Sequence, residues 1–366
     1  MTGLSIRLSA NPHRKLLLKT DTISPRLPAE WEAQSAILIT WPHADTDWCD
    51  MLEEVEADFS LMAKAILDFQ PLIVLCANVD IKNKLTAELC NRKYPVHFHI
   101  FKSNDTWVRD YGPITCLENS SAIMHDFVFN GWGGKFFAEQ DSAATASLSS
   151  GILKQNTRVS HNIVLEGGAI ESNGKDCLLT TSTCLMTDTR NPQMSRLDWE
   201  NLFAEQFGLK KTLWLDHGFL AGDDTDSHVD TLARFVAENH IAYVKCDDPS
   251  DIHYEALQAM EQQLTMLRNC AGEAFQLTAL PWPATVRDPE DEHRLPATYA
   301  NFLIINNAVL IPQYNDPMDS VAVERLGKCF PQRKMVPLPS LAYIRQHGSI
   351  HCLTMQLPVQ IKLSDE

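Results

Sequence analysis

The sequence lacks several features that would settle its class at once. No apolar run approaches the ~18 residues that a membrane-spanning helix needs. The stretch Arg14-Lys15-Leu16-Leu17-Leu18-Lys19 has only three consecutive apolar residues, too few for the core of a signal peptide. A cytoplasmic address, with no membrane partner, is the expectation. Positive charge is also scarce: 31 Lys and Arg face 47 Asp and Glu, a net charge of −16. This argues against nucleic acid, whose binders need a basic face. An acidic surface can steer a cation inward, although acidity is also ordinary in cytosolic proteins. No two of the ten cysteines (49, 76, 90, 116, 177, 184, 246, 270, 329 and 352) are spaced C-x-x-C, and a chain of this size needs no disulfide stapling. They read as reduced thiols, mostly buried, with room for one reactive member. A zinc site would require paired His and Cys ligands. His97 with His99, and His351 beside Cys352, are the only local hints, and structural roles suit these histidines better.

The 366 residues, 45% apolar and 21% charged, suit a soluble globular protein with a sizeable core. Short apolar runs bounded by Pro, Gly, Asn or Asp read as strands: Ala36–Trp41, Leu72–Cys76, Ile163–Leu165, Cys177–Thr181, Thr212–Leu215, Ile241–Lys245, Phe302–Ile311 and Met335–Leu338. Apolar residues at 52, 55, 59, 62, 66 and 69 form a helical stripe between Met51 and Phe69. Ser250–Asn269 and Val321–Phe330 behave likewise. This alternation indicates an α/β protein. Asn173-Gly174 predicts a tight hairpin. No linker divides the chain, so a single domain is expected over residues 28–362, after an N-terminal extension of residues 1–27. The last residues, 362–366, look loose. No repeat is legible at the level of letters.

Five constellations could carry chemistry. In Asn104–Pro113, Arg109 and Asp110 stand where a strand-like segment ends in Gly112-Pro113, with Trp107 beside them. A surface ion pair would explain Arg109 and Asp110 equally well. Phe129–Lys135 sets three glycines around Trp132, which permits tight turns or close approach to a ligand. It lacks the spacing of a phosphate-binding loop. Leu165-Glu166-Gly167-Gly168 places a carboxylate before two glycines, suited to backbone pressed against a substrate or a partner side chain. Asp223–Asp230 is acidic enough for a solvated loop, but on an extended strand His228 and Asp230 would share a face ~7 Å apart. Imidazole is the side chain best suited to carry protons at neutral pH. Finally, Gly348–Gln356 reads as a glycine turn opening a strand that carries Cys352. Most cysteines are inert core residues. A reactive Cys352 needs a lowered pKa, for which His228 could supply the cation.

Together these residues have a chemical logic. Guanidinium is a planar cation with five donors, charged at any physiological pH. Holding it in a dry pocket takes ionised carboxylates in bidentate geometry. Hydrolysing it takes a strong nucleophile and an acid for the departing ammonia. Two carboxylates, a thiolate and a histidine suffice.

The motifs resemble those of the agmatine deiminase and bacterial peptidyl-arginine deiminase family, within the guanidine-modifying superfamily. The matching stretches are Leu27–Glu32, Trp41-Pro42-His43, Thr106–Pro113, Asn130–Lys135, Leu165–Gly168, Arg190-Asn191-Pro192, His228–Val236, Pro296–Phe302 and Ile350–Cys352. They run from about residue 27 to 358. The resemblance implies a five-bladed α/β propeller with pseudo-fivefold symmetry and a central site. It implies Cys352 as nucleophile, His228 as general acid and base, and Asp110 and Asp230 as guanidinium clamps. Glu166 would support the histidine. Asp224, Trp107, Trp132 and Arg109 are expected around the substrate. No metal or organic cofactor is implied. The expected partner is a small cationic guanidino compound, with agmatine, giving N-carbamoylputrescine on the way to putrescine, ahead of peptidyl- or free arginine, giving citrulline. An amidinotransferase and a non-catalytic ligand-binding propeller are the remoter alternatives. A homo-oligomer is compatible with all of these. Two departures from the family pattern border the chemistry: Gln346-His347-Gly348-Ser349 replaces a run of glycines, and Ser227 replaces a glycine.

Overall fold

The structure, a computed structural model, describes residues 25–364. Residues 1–24 of the expected extension, with the run at 14–19, lie outside the described residues. At its inner end the extension is tied down: Arg26 bridges Leu117, and the amide of Leu27 donates to the carbonyl of Phe207 at 3.0 Å. The far terminus is not loose up to Ser364, whose amide donates to the carbonyl of Ile152 at 2.8 Å.

The short apolar runs form five small sheets that repeat one topology. Ile114–Glu118, Ser121–Val128 and Thr157–Val164 make the first, and Ile170–Ser172, Cys177–Thr181 and Lys211–Leu215 the second. The third comprises Ala233–Ala237, His240–Val244 and Gln276–Leu280. The fourth comprises Leu303–Ile305, Ala308–Gln313 and Lys334–Pro339. In each, the first two strands pair antiparallel and the third returns parallel to the second. The fifth sheet joins the two ends of the chain. Thr354–Pro358 pairs antiparallel with Gln34–Thr40, which pairs parallel with Leu72–Cys76 and, beyond it, Val96–Ile100.

The parallel return forces a crossover, and a helix is the compact way to make one. Leu52–Leu67, Arg196–Phe207, Tyr254–Met266 and Met318–Cys329 occupy these positions. The apolar stripe read at 52–69 is the buried face of the first, carrying Val55, Phe59, Met62 and Ile66. A capping box at Ser195 and Asp198 starts the second, and Gly208 at φ +69° ends it. The run read as one strand at 302–311 is two strands, because Asn307 adopts φ +63° and turns the chain. The turn at Asn173-Gly174 is wider than the expected two-residue type. Ser172 pairs with Leu178, and the Asn173 side chain accepts from the amides of Lys175, Asp176 and Cys177.

A functional consequence follows from this repeat. The turns just before the first strand of each sheet carry Asp110, Glu166 and Gly168, His228 and Asp230, Asn301, and Cys352. The expected propeller requires five equivalent sheets meeting at a centre. Five sheets of one topology are present, and these turns touch one another, as detailed below.

The crossover helix Arg196–Phe207 packs through three aromatic side chains, Trp199, Phe203 and Phe207, all fully buried. Phe207 stacks on Phe203 and meets Phe127 edge-on. Phe207→Ala should destabilise the fold by about 3–5 kcal/mol, read by urea denaturation, with unchanged catalytic constants in the folded fraction.

Candidate active site

Asp110 lies in a single helical turn, Val108–Tyr111, rather than at a strand end. Successive side chains on a helical turn diverge, so Arg109 and Asp110 face different ways. The Asp110 carboxylate accepts from the Trp132 indole at 2.9 Å and from the Gly168 amide at 2.9 Å. Arg109, expected at the substrate, is turned away from it. Its guanidinium donates to the carbonyl of His351 at 3.3 Å, to Glu30 at 3.3 Å and to Gln356. It lines a second cavity instead.

Trp132 is delivered by a run of four left-handed residues, Gly131 to Gly134. Only its three glycines adopt such φ without steric cost. Gly168 is required for a different reason. A Cβ there would sit 2.6 Å from His228 Nδ1 and 2.8 Å from Asp110 Oδ1, well inside contact distance.

His228 and Asp230 do not share a strand face. His228 caps the 3-10 turn Val229–Thr231, with Asp230 inside it. The His228 ring is fully buried between Asp110 Oδ1, 3.6 Å from Nδ1, and Glu166 Oε2, 3.7 Å from Nε2. Both separations are too long for hydrogen bonds. Burial opposes protonation of His228, but Asp110, Cys184 and Glu166 outweigh it and raise its pKa well above the ordinary imidazole value. Glu166 is fully buried too, and burial alone would raise it. His228 and Arg190 hold it below the usual carboxylate range. Arg190 Nε lies 2.8 and 2.9 Å from the two Glu166 oxygens, while its Nη1 reaches Asp226 at 2.7 Å. Asp110 is pushed up to about 6 by burial, by Asp230 and by Glu166, against the pull of His228 and Trp132.

Cys352 lies within the turn 350–353, just before the strand Thr354–Pro358, rather than in the strand itself. Its sulfur is 3.1 Å from Asn301 Nδ2 and 3.6 Å from Asp230 Oδ2. Burial, Asp230 and Asp110 push the thiol well up, against the pull of Asn301 and the Ser349 backbone. Asn301, whose amide meets the sulfur, is the site side chain that sequence reasoning missed. Its carbonyl oxygen also accepts from the amides of His351 and Cys352. The matched stretch Pro296–Phe302 contained it, but a lone Asn before an apolar run carries no chemical signature.

One cavity joins these groups to the outside. Cys352 and Asp110 line its floor, and Trp107, Trp132, Asp105 and Asp224 are among its walls. Gly348 packs on Trp107. Of the two departures, Gln346, His347 and Gly348 line this cavity, and both departures carry left-handed backbone, His347 at φ +68° and Ser227 at +66°. Among the described residues no helix is long and apolar enough to cross a membrane. Gly168→Ala should leave the fold intact but cut kcat/KM at least ~100-fold by displacing His228 and Asp110. Steady-state kinetics beside a thermal melt would check this.

Known proteins share this arrangement over nearly the whole chain. A family model for the Porphyromonas-type peptidyl-arginine deiminase matches residues 26–358. The agmatine deiminase of Stutzerimonas stutzeri is 32% identical, with 93% of this chain and 99% of that one covered. Among solved structures, the agmatine deiminase of C. jejuni with substrate bound superposes with a TM-score of 0.85 at 35% identity, covering 93% of this chain and 97% of that one. A chain from Porphyromonas gingivalis provisionally named an arginine deiminase gives 0.86 at 42% identity, covering 93% and 100%. The protein belongs to the Porphyromonas-type peptidyl-arginine deiminase family.

Proposed function

We propose that the protein is a deiminase that hydrolyses a guanidinium group through a covalent intermediate on Cys352, with agmatine as substrate and N-carbamoylputrescine and ammonia as products. The observation that carries the reading is the cluster at the cavity floor and directly behind it: the Cys352 thiol and Asp110 line the cavity, with the buried carboxylates of Asp230 and Glu166 and a buried, proton-rich imidazole packed behind them. That set lacks a cation of its own where guanidinium would lie.

Asp110 and Asp230 clamp the guanidinium nitrogens. Bringing a fixed positive charge against the sulfur reverses the electrostatics that hold it as a thiol, and the thiol proton is released to solvent. The thiolate then adds to the guanidinium carbon, and protonated His228 gives its proton to the nitrogen that leaves as ammonia. The amidino carbon stays bonded to sulfur. His228, now neutral, takes a proton from water as the hydroxyl adds to that carbon. Collapse of the adduct expels the thiolate and forms the ureido carbonyl, and the remaining proton converts ammonia to ammonium. Glu166, itself held by Arg190, keeps the imidazole charged and oriented.

The distal end of the cavity favours an amine over an amino-acid head. Asp47, Asp105 and Asp224 line it, with no Lys or Arg among its lining residues. Burial and Asp47 push Asp105 up to about 7, a cost that an ammonium group there would relieve. The carboxylate of free arginine would meet only like charge. The matched agmatine deiminases point the same way.

Two experiments test this reading. Supplied separately with agmatine, free arginine and a blocked arginine peptide, the protein should release ammonia and ureido product from agmatine at least ~100-fold faster, about 2.7 kcal/mol of discrimination. Equal rates on all three would overturn the substrate assignment. Cys352→Ala should abolish turnover with the fold retained, and surviving activity would refute the mechanism. The clamp also needs Asp110 ionised in the free protein. Because its pKa is raised to about 6, kcat/KM should fall as pH drops through about 6, with the apparent value belonging to the Asp110–His228 pair. Trp132→Phe removes a donor to the charged form, so this limb should move to higher pH.

A further inference from the structure

We infer that His351 and Glu30 are positioning residues for the guanidinium clamp, holding Asp230 from the side away from the substrate cavity. This rests on the function proposed above. The clamp carboxylate is fully buried, and its two oxygens are treated differently. Oδ2 lies 2.7 Å from His351 Nδ1, whereas Oδ1 has no hydrogen-bond partner among the described residues. Oδ2, with the Cys352 sulfur 3.6 Å from it, is thereby latched, and Oδ1 is left for a substrate N–H. The other ring nitrogen of His351 lies 2.7 Å from Glu30 Oε1. The ring nitrogens thus meet a carboxylate at each end, although burial, Arg109 and Arg234 lower the pKa of the ring against the pull of Glu30 and Asp230, and the ring cannot rotate without breaking both contacts.

Glu30 is itself anchored. Arg234 donates to it and to Glu171, and reaches the carbonyls of Ala300 at 3.1 Å and Phe302 at 2.9 Å. Arg109 approaches Glu30 at 3.3 Å. Three carboxylates (Glu30, Glu171 and Asp230) thus face two guanidinium groups and the His351 ring in one largely buried network. The network has two outlets toward the chemistry. One runs through His351 to Asp230. The other runs through Arg234 to the backbone flanking Asn301, whose amide meets the Cys352 sulfur. Glu30, Arg109 and Glu171 also line the second cavity, which shares no lining residue with the substrate cavity. The segment Leu27–Glu30, remote in sequence from every reacting group, therefore completes the clamp from behind. Arg109 is explained by the same network.

The two legs of the histidine can be separated by shape. An Asn side chain places its amide near Nδ1, and a Gln side chain places it near Nε2. His351→Asn should keep the contact to Asp230, lose that to Glu30 and lower kcat/KM about fivefold. His351→Gln should release Asp230 and lower kcat/KM about 100-fold with a raised KM, the scale of a 1 Å misplacement at a reacting centre. Glu30→Gln should fall between, at about tenfold. Agmatine kinetics and thermal melts on all three, beside the wild type, make the test. A purely structural role would lower melting temperature in all variants while leaving KM untouched in the folded fraction. Equal loss in the Asn and Gln variants, or wild-type KM in His351→Gln, would overturn the inference. If both His351 variants fail to fold, an unchanged KM in Glu30→Gln would overturn it instead. A wild type inactive on every guanidine would refute the underlying function, a result distinct from either.

Discussion

The structure turns on one electrostatic constraint: Asp110, Glu166 and Asp230 are carboxylates removed from water at the centre of the molecule. Moving such groups out of water costs several kcal/mol each unless charge and hydrogen bonds compensate. Compensation is uneven here. Glu166 has Arg190, and Asp230 has His351 on one oxygen only. Asp110 has an indole, an amide and a more distant imidazole. The centre is therefore anionic without a ligand, and its thiol stays protonated. Under the proposed function, a planar cation placed there would answer both facts together, pairing with the acids and stabilising the sulfur as thiolate, so that binding and activation of the nucleophile become one event.

The fold makes this concentration of charge tolerable by spreading it over five turns. Each reacting or supporting group sits just before the first strand of a sheet, where the chain is held by an antiparallel partner on one side and by neighbouring turns on the other. No single element carries the whole cluster. Gly168 shows how closely the turns approach, since even a methyl group would strike His228 and Asp110. The buried network of Glu30, Arg109, Arg234 and Glu171 plays the corresponding part behind the site, pinning the turns that hold Asp230, Asn301 and Cys352.

Much of this was legible in the letters, and the failures have physical causes. Leu72–Cys76 and Cys177–Thr181 were read to the residue because fully buried strands are continuous apolar runs bounded by turn residues. The helix Leu52–Leu67 followed from its stripe. The fivefold repeat stayed hidden because topology repeats while side chains do not. Arg109 was misplaced because neighbouring charges in a sequence suggest one role, whereas a helical turn sends them apart. Asn301 left no trace because its work is done by two backbone amides and a sulfur brought to it by distant segments. The Cys352 sulfur lies against Asp230, and the His228 ring lies between Asp110 and Glu166, an allocation only the three-dimensional arrangement reveals.

The central claim is that the Cys352 sulfur takes the amidino carbon from the bound cation. The most direct measurement is mass spectrometry of the protein quenched in acid during turnover of agmatine, followed by digestion. A Cys352-containing peptide heavier by one substrate less one ammonia is the expected result, with the other nine cysteines unmodified. Steady turnover with no adduct on Cys352, or an adduct on another cysteine, would contradict the account.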